Sequence, residues 1–168
     1  IVLNEALALW RGTPYSDLPD SHLARNEAVR LTERHATALE DRMAARLLSG
    51  DHEWAVAEGE HLVGESPLRE RRWSLLMRAL YAAGRQSEAL RAYQRLRTML
   101  VDELGIEPSE PLRTLEAQVA AQDPTLGEQL RPIDVAESSI RIRPIDLPSG
   151  TVTFALTDIE GSTALWDR

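Results

Sequence analysis

Hydrophobic positions recur at helical spacing through the middle of the chain. Trp73, Leu76, Met77, Leu80 and Tyr81 fall at i, i+3, i+4, i+7 and i+8, one face of a helix. Gly84 interrupts the pattern, as a left-handed residue just past a helix end does. Ala89, Tyr93, Leu96 and Leu100 form a second periodic run. Two amphipathic helices with a tight turn predict a helical hairpin over Trp73 to Leu104. Ala89 is small where the helices should cross, which lets the backbones approach.

The pattern occurs once more upstream. A shift of 34 residues places Leu39 on Trp73, Met43 on Met77, Leu47 on Tyr81, Gly50 on Gly84, Ala55 on Ala89 and Leu62 on Leu96. A helix–turn–helix unit at this period is tetratricopeptide-like. The upstream copy is degenerate, with Leu39 for the tryptophan and Gly59 in place of Tyr93. Neither hairpin can bury its apolar face alone, so stacking is expected.

The flanking chain extends the helical reading. Leu3, Ala6, Leu7 and Trp10 make a short face that stops at Gly12, and turn chemistry follows over Thr13 to Pro19. Asp20 or Ser21 can cap a long helix from about Leu23 to Ser49, with His35, Leu39, Met43 and Leu47 in its buried row. Asp51 can cap the next helix, Ser66-Pro67 reads as a helix start, and Ser109 can cap a last helix ending near Gln122. Pro124, Pro132, Pro144 and Pro148 then break all periodicity, which reads as a linker. Thr151 to Thr157 is β-branched and apolar, as a strand is.

Composition narrows the chemistry. The 168 residues suit one domain, or one plus a fragment. The chain opens without an initiator methionine, on an amphipathic segment rather than a signal peptide, and is expected to be cut from something longer. Absence of Cys removes disulfides and thiolate zinc sites and agrees with a cytoplasmic location. A net charge of −8 argues against a DNA grip by this segment alone, because phosphate binding needs a basic face. All 19 basic residues are arginine. Two clusters stand out, Arg69-Arg71-Arg72 and Arg91-Arg95-Arg97. Such runs are ordinarily solvated helix faces paired with nearby Glu, and Arg69, Arg72, Arg91 and Arg95 are the partner-binding candidates. His22, His35, His52 and His61 lack metal-ligand spacing.

Residues 4–122 carry a specific resemblance. ALALWRG, then LEDRMAARLLSG, then RQSEALRAYQRLR and ELGIEPSEPL occur in that order. This order resembles the bacterial transcriptional activator domain of SARP-type regulators. The resemblance implies a module placed after a winged-helix DNA-binding domain, implicated in self-association and transcription control. DNA contact would then belong to that preceding domain.

The tail, SGTVTFALTDIEGSTALWDR, resembles the opening of a class III adenylate/guanylate cyclase domain. The resemblance implies Asp158 and Ile159 as metal ligands, with Gly161, Ser162 and Thr163 near nucleotide phosphates. Mg or Mn would be expected only with a complete cyclase domain, and no cofactor for the helical part. The second metal aspartate and the transition-state arginine would lie beyond Arg168, so no catalytic set is complete here.

The fold class expected is all-α, with tetratricopeptide-like stacked helical hairpins, a C-terminal linker and one strand–turn–helix fragment of an α+β cyclase domain. The boundaries expected are 1–122 for the activator domain, 123–150 for the linker and 151–168 for the cyclase fragment. The function expected is a regulatory protein–protein interaction module of a multidomain regulator, using the groove between stacked hairpins. The alternative is an input domain of an ATP or GTP cyclase that is catalytic only in a longer parent.

Overall fold

The computed structural model describes residues 2–17 and 22–130. Seven helices follow in chain order among these residues: α1 (Val2–Ala8), α2 (His22–Leu48), α3 (His52–Glu65), α4 (Glu70–Ala82), α5 (Gln86–Leu104), α6 (Glu110–Ala121) and α7 (Pro124–Gln129). Every regular element among the described residues is a helix. The expectation of an added strand–turn–helix is therefore corrected to an all-α fold. A single strand has no neighbour to satisfy its backbone, and nothing described supplies one. The predicted strand at 151–157 lies outside the described residues.

The 34-residue repeat is present as two hairpins, α2–α3 and α4–α5. Gly50 and Gly84 take left-handed conformations, at φ 82° and 75°. The next backbone N–H in each copy reaches back to close the helix end: Asp51 donates to Arg46 O at 3.0 Å, and Arg85 to Leu80 O at 2.8 Å. The repeat pairs Met43/Met77, Ala55/Ala89 and Leu62/Leu96 are all at most 1% exposed. Burying side chains of this size contributes about 1.5–3 kcal/mol for each large one.

Hydrogen bonds and ion pairs fix the layer order. At the start of α4, Glu70 accepts from the Ser109 N–H at the start of α6, at 3.0 Å. Just past the end of α4, Gln86 Nε2 donates to Val119 O near the end of α6, at 2.8 Å. Helices α4 and α6 thus run side by side in the same direction. Arg71 at the start of α4 meets Asp41 of α2 at 2.5 Å, and Arg85 beyond its end meets Glu53, just past α2, at 3.7 Å. The second half of α2 therefore shares that direction. Helices α2, α4 and α6 form one layer; α3 and α5 form the other, joined by Arg95 and Glu60 at 3.1 Å.

Two predicted boundaries move. Ser66-Pro67 does not start α4; Ser66 ends α3, and its carbonyl accepts from Arg69 N–H at 3.2 Å. Arg69 stays extended, so the helix begins at Glu70. The helical body also runs past 122. Asp123 Oδ1 accepts from Thr125 N–H at 2.9 Å, Pro124 takes the first helical position, and α7 carries Leu126 and Leu130 into the core. The same Asp-Pro pair that reads as a break is a helix start.

Candidate protein-interaction grooves

One groove lies on the α3–α5 layer. The end of α3, the turn at Pro67, Trp73 of α4 and the outer face of α5 enclose about 750 Å³. Its floor is apolar, built from Val63, Pro67, Trp73 and Met99. Trp73 is held rigid: it is 1% exposed, and its indole N–H donates to Pro67 O at 2.7 Å. Arg91 and Arg95 stand on the α5 rim, one turn apart. The Arg95 guanidinium lies 5.1 Å over the Trp73 ring and pairs with Glu60, so its charge is oriented on both sides. Arg91 is exposed and makes no hydrogen bond or ion pair.

The other arginine cluster has a different fate. Glu40 is 1% exposed and is faced by three guanidinium groups: Arg69 at 2.9 Å, Arg72 at 3.3 Å and Arg71 at 3.4 Å. Arg72 is 2% exposed and also donates to Leu62 O at 2.6 Å. It bolts α4 to α2 and α3. Arg69 bonds Glu33 at 2.7 Å as well as Glu40, and those two hydrogen bonds hold its guanidinium above the usual arginine value. A second recess of about 770 Å³ opens beside this cluster, lined by Leu39, Leu68, Arg69 and Glu103 among others. Of the four candidates, Arg91 and Arg95 rim the apolar groove, while Arg69 and Arg72 gather on Glu40.

Glu40 was not singled out from the sequence, although its spacing carries a signal. It lies three residues before Met43 and seven before Leu47, in register with the buried row of α2. A carboxylate there demands a cationic partner. His35 leaves the core row to stack on Trp10, with ring centroids 4.2 Å apart and planes at 14°. No group of three or more His, Asp or Glu side chains suited to a metal ion occurs among the described residues. No helix among them is long and apolar enough to cross a membrane.

The family model of the bacterial transcriptional activator domain matches residues 2–120. The chain belongs to that family. The activator domain is similar to the transcriptional regulator RedD of Streptomyces coelicolor, 43% identical over 125 residues, covering 74% of this chain and 36% of RedD. It is similar to the regulatory protein AfsR of the same organism, 39% identical over 153 residues, covering 91% of this chain and 15% of AfsR. Among solved structures it is similar to Mycobacterium tuberculosis EmbR in complex with a low affinity phosphopeptide. That likeness has a TM-score of 0.68 at 36% identity and covers 79% of this chain and 33% of EmbR. The chain spans 36%, 15% and 33% of these three proteins, well under two thirds of each.

The cyclase reading is corrected by the same findings. The family match is to a transcriptional activator domain, and the AfsR match takes in most of the chain, past the helical family match. Both relatives are regulators by name, and the described fold is helical throughout its regular elements. A truncated cyclase, its cyclic nucleotide product and its Mg or Mn have no support. Asp158, Ile159, Gly161, Ser162 and Thr163 lie outside the described residues.

Proposed function

We propose that this domain serves a longer transcription regulator as the module that makes its protein contact, through the groove over Trp73. The supporting observation is the combination found there: an apolar floor held rigid by Trp73, with an unpaired Arg91 and an oriented Arg95 on its rim. Apolar area supplies the driving force and the arginines select an acidic-edged segment. The occupant is a second copy of this domain or a separate protein. The resemblance to SARP-type regulators assigns DNA contact to a winged-helix part of the longer regulator, and the net charge of −8 agrees with a domain that does not itself grip DNA. A regulator of transcription acts where the DNA is, so this reading assigns the domain to the cytoplasm.

Sedimentation of the wild-type chain and of Met99→Glu tests this. A dimer that becomes a monomer in the variant assigns the groove to self-association. A monomer in both, with loss of activation when Met99→Glu is placed in the full-length regulator, assigns it to a separate protein. Unchanged assembly and unchanged activation remove the groove from function. Circular dichroism of the variant checks that the helices persist.

A further inference from the structure

Two side-chain polar atoms among the described residues are out of water and without a hydrogen-bond partner, Arg42 Nε and His52 Nε2. A donor buried without an acceptor is costly, so such an atom asks for an explanation. Arg42 also lines a recess of about 370 Å³ between α1 and the second half of α2. Leu3 and Asn4 of α1 form one wall. Arg42, Ala45 and Arg46 of α2, with Ser49 just past its end, form the other. These four fall at i, i+3, i+4 and i+7, one face of a helix.

The two guanidinium groups are held in place by the fold itself. Arg42 and Arg46 lie 5.3 and 5.2 Å over the ring of Trp54 on α3. Arg42 Nη2 donates to Glu58, and Arg46 Nη1 donates to Asp51 at 2.8 Å. Each arginine spends a single N–H in this way, out of the several that a guanidinium carries. The site therefore has donors to spare, while the charge of both arginines is already met. No carboxylate lines the recess.

We propose that this recess binds a small organic acid through its carboxylate. A planar carboxylate takes two parallel N–H donors from one guanidinium. Arg42 brings an Nε–H that has no other acceptor, Arg46 brings further N–H groups one turn away, and the Asn4 amide can donate from the facing wall. Leu3 and Ala45 offer an apolar contact to the carbon body of the acid. Because Glu58 and Asp51 already balance both arginines, one negative charge fits better than the double charge of a phosphate. The volume lies at the small end of ligand cavities, which suits a small molecule rather than a protein segment. Trp54 fixes both arginines, so little side-chain freedom is lost on binding. The recess shares no residue with the Trp73 groove and stands or falls independently of it.

The test uses the whole chain with 15N-labelled arginine, titrated with isobutyrate at neutral pH and fixed ionic strength. Isobutyramide, its uncharged isostere, and inorganic phosphate are the comparison probes. The expected result is a saturable shift of the Arg42 Nε–H resonance, assigned by its loss in Arg42→Lys, with isobutyrate and none with isobutyramide. Arg46→Gln should weaken binding by about tenfold or more. Ala45→Leu should abolish it. That change fills the recess from an exposed helical position and leaves the Arg42–Glu58 and Arg46–Asp51 pairs in place. Absence of a saturable shift, an equal shift with isobutyramide, tighter binding of phosphate than of isobutyrate, or full binding in Ala45→Leu each overturn the proposal.

Discussion

The two hairpins share one backbone plan and are held by different physics. In α4–α5 the repeat positions carry Trp73, Met77, Tyr93 and Leu96, all nearly inaccessible, and the packing is apolar. In α2–α3 the matching aromatic positions are Leu39 and Gly59. What replaces the missing bulk is polar: Glu40 under three arginines, Arg42 paired with Glu58, and Arg42 and Arg46 lying 5.3 and 5.2 Å over the Trp54 ring. A degenerate repeat is thus not a weaker copy. It exchanges non-directional burial for directional contacts, and those contacts fix how the second hairpin sits on the first.

The sharpest way to break this contrast is at Glu40. Glu40→Ala leaves Arg69, Arg71 and Arg72 around an empty site, one of them fully buried. The expected loss is about 3–5 kcal/mol, read by urea unfolding. The double variant Glu40→Met/Arg72→Met should recover most of that loss, since an apolar pair of similar volume needs no counter-charge. If the double variant is no more stable than Glu40→Ala, the arginines hold the helices through contacts other than Glu40.

Leu80→Ala probes the other hairpin. Leu80 is 2% exposed in the last turn of α4, and truncation there should cost about 2–5 kcal/mol through lost burial and a residual cavity. No second substitution should restore it without refilling the volume. A loss below about 1 kcal/mol would mean that the α4 core collapses around the gap. The two sites together separate charge-compensated from volume-limited packing.

Gly59 gives a smaller and more diagnostic effect. A Cβ there would sit 2.7 Å from Met43 Cε and 3.1 Å from Leu76 Cδ1. Alanine gains about 1 kcal/mol in helix propensity, and overpacking costs about 1–3 kcal/mol. Met43 Cε is the end of a flexible side chain and can give way, but Leu76 Cδ1 and Cβ at 3.1 and 3.3 Å crowd the same site, so Gly59→Ala should be destabilising by no more than about 1 kcal/mol in net. In a Met43→Val background the closest atom is gone, and the same change should become neutral or stabilising. Additive melting temperatures in the double variant would show that the two residues do not touch.

These differences mark where the sequence was legible. The 3.6 period and the glycines at Gly50 and Gly84 gave the hairpins, because apolar spacing and left-handed caps are local signals. Trp73 with Arg95 was half legible: both residues stood out, but their stacking depends on the crossing of α4 and α5. Glu40 was not legible as a hub, since its arginines lie 29 to 32 residues away and only packing brings them together. Gly59 read as a lapse in the repeat, whereas it is the close approach of α3 to Met43 and Leu76. The tail shows the opposite error. A strand-like string of β-branched residues followed by Asp-Ile-Glu-Gly-Ser-Thr is a short local pattern, and it was given the meaning of a whole domain.

The smallest effect expected is a pH dependence confined to the polar hairpin. His35 on α2 stacks against Trp10, and burial lowers its pKa below the ordinary histidine value. Burial is the largest cause; Glu65 opposes it, while Arg42 and Arg72 reinforce it. The unfolded chain therefore binds the proton more tightly than the folded one. Stability from this stack is fully present above the unfolded value, near 6.5, and is lost as pH falls through the depressed folded value. The loss should appear first as release of α1, because Trp10 follows directly on that helix. Near-ultraviolet dichroism and Trp10 emission, with Trp54 and Trp73 as internal references, should change between pH 7 and 5 while the α4–α5 signals stay flat. His35→Phe keeps the stack without a titrating nitrogen and should flatten the profile. An equal acid transition in His35→Phe would assign the pH dependence to another group, with the Glu40 cluster the next site to substitute.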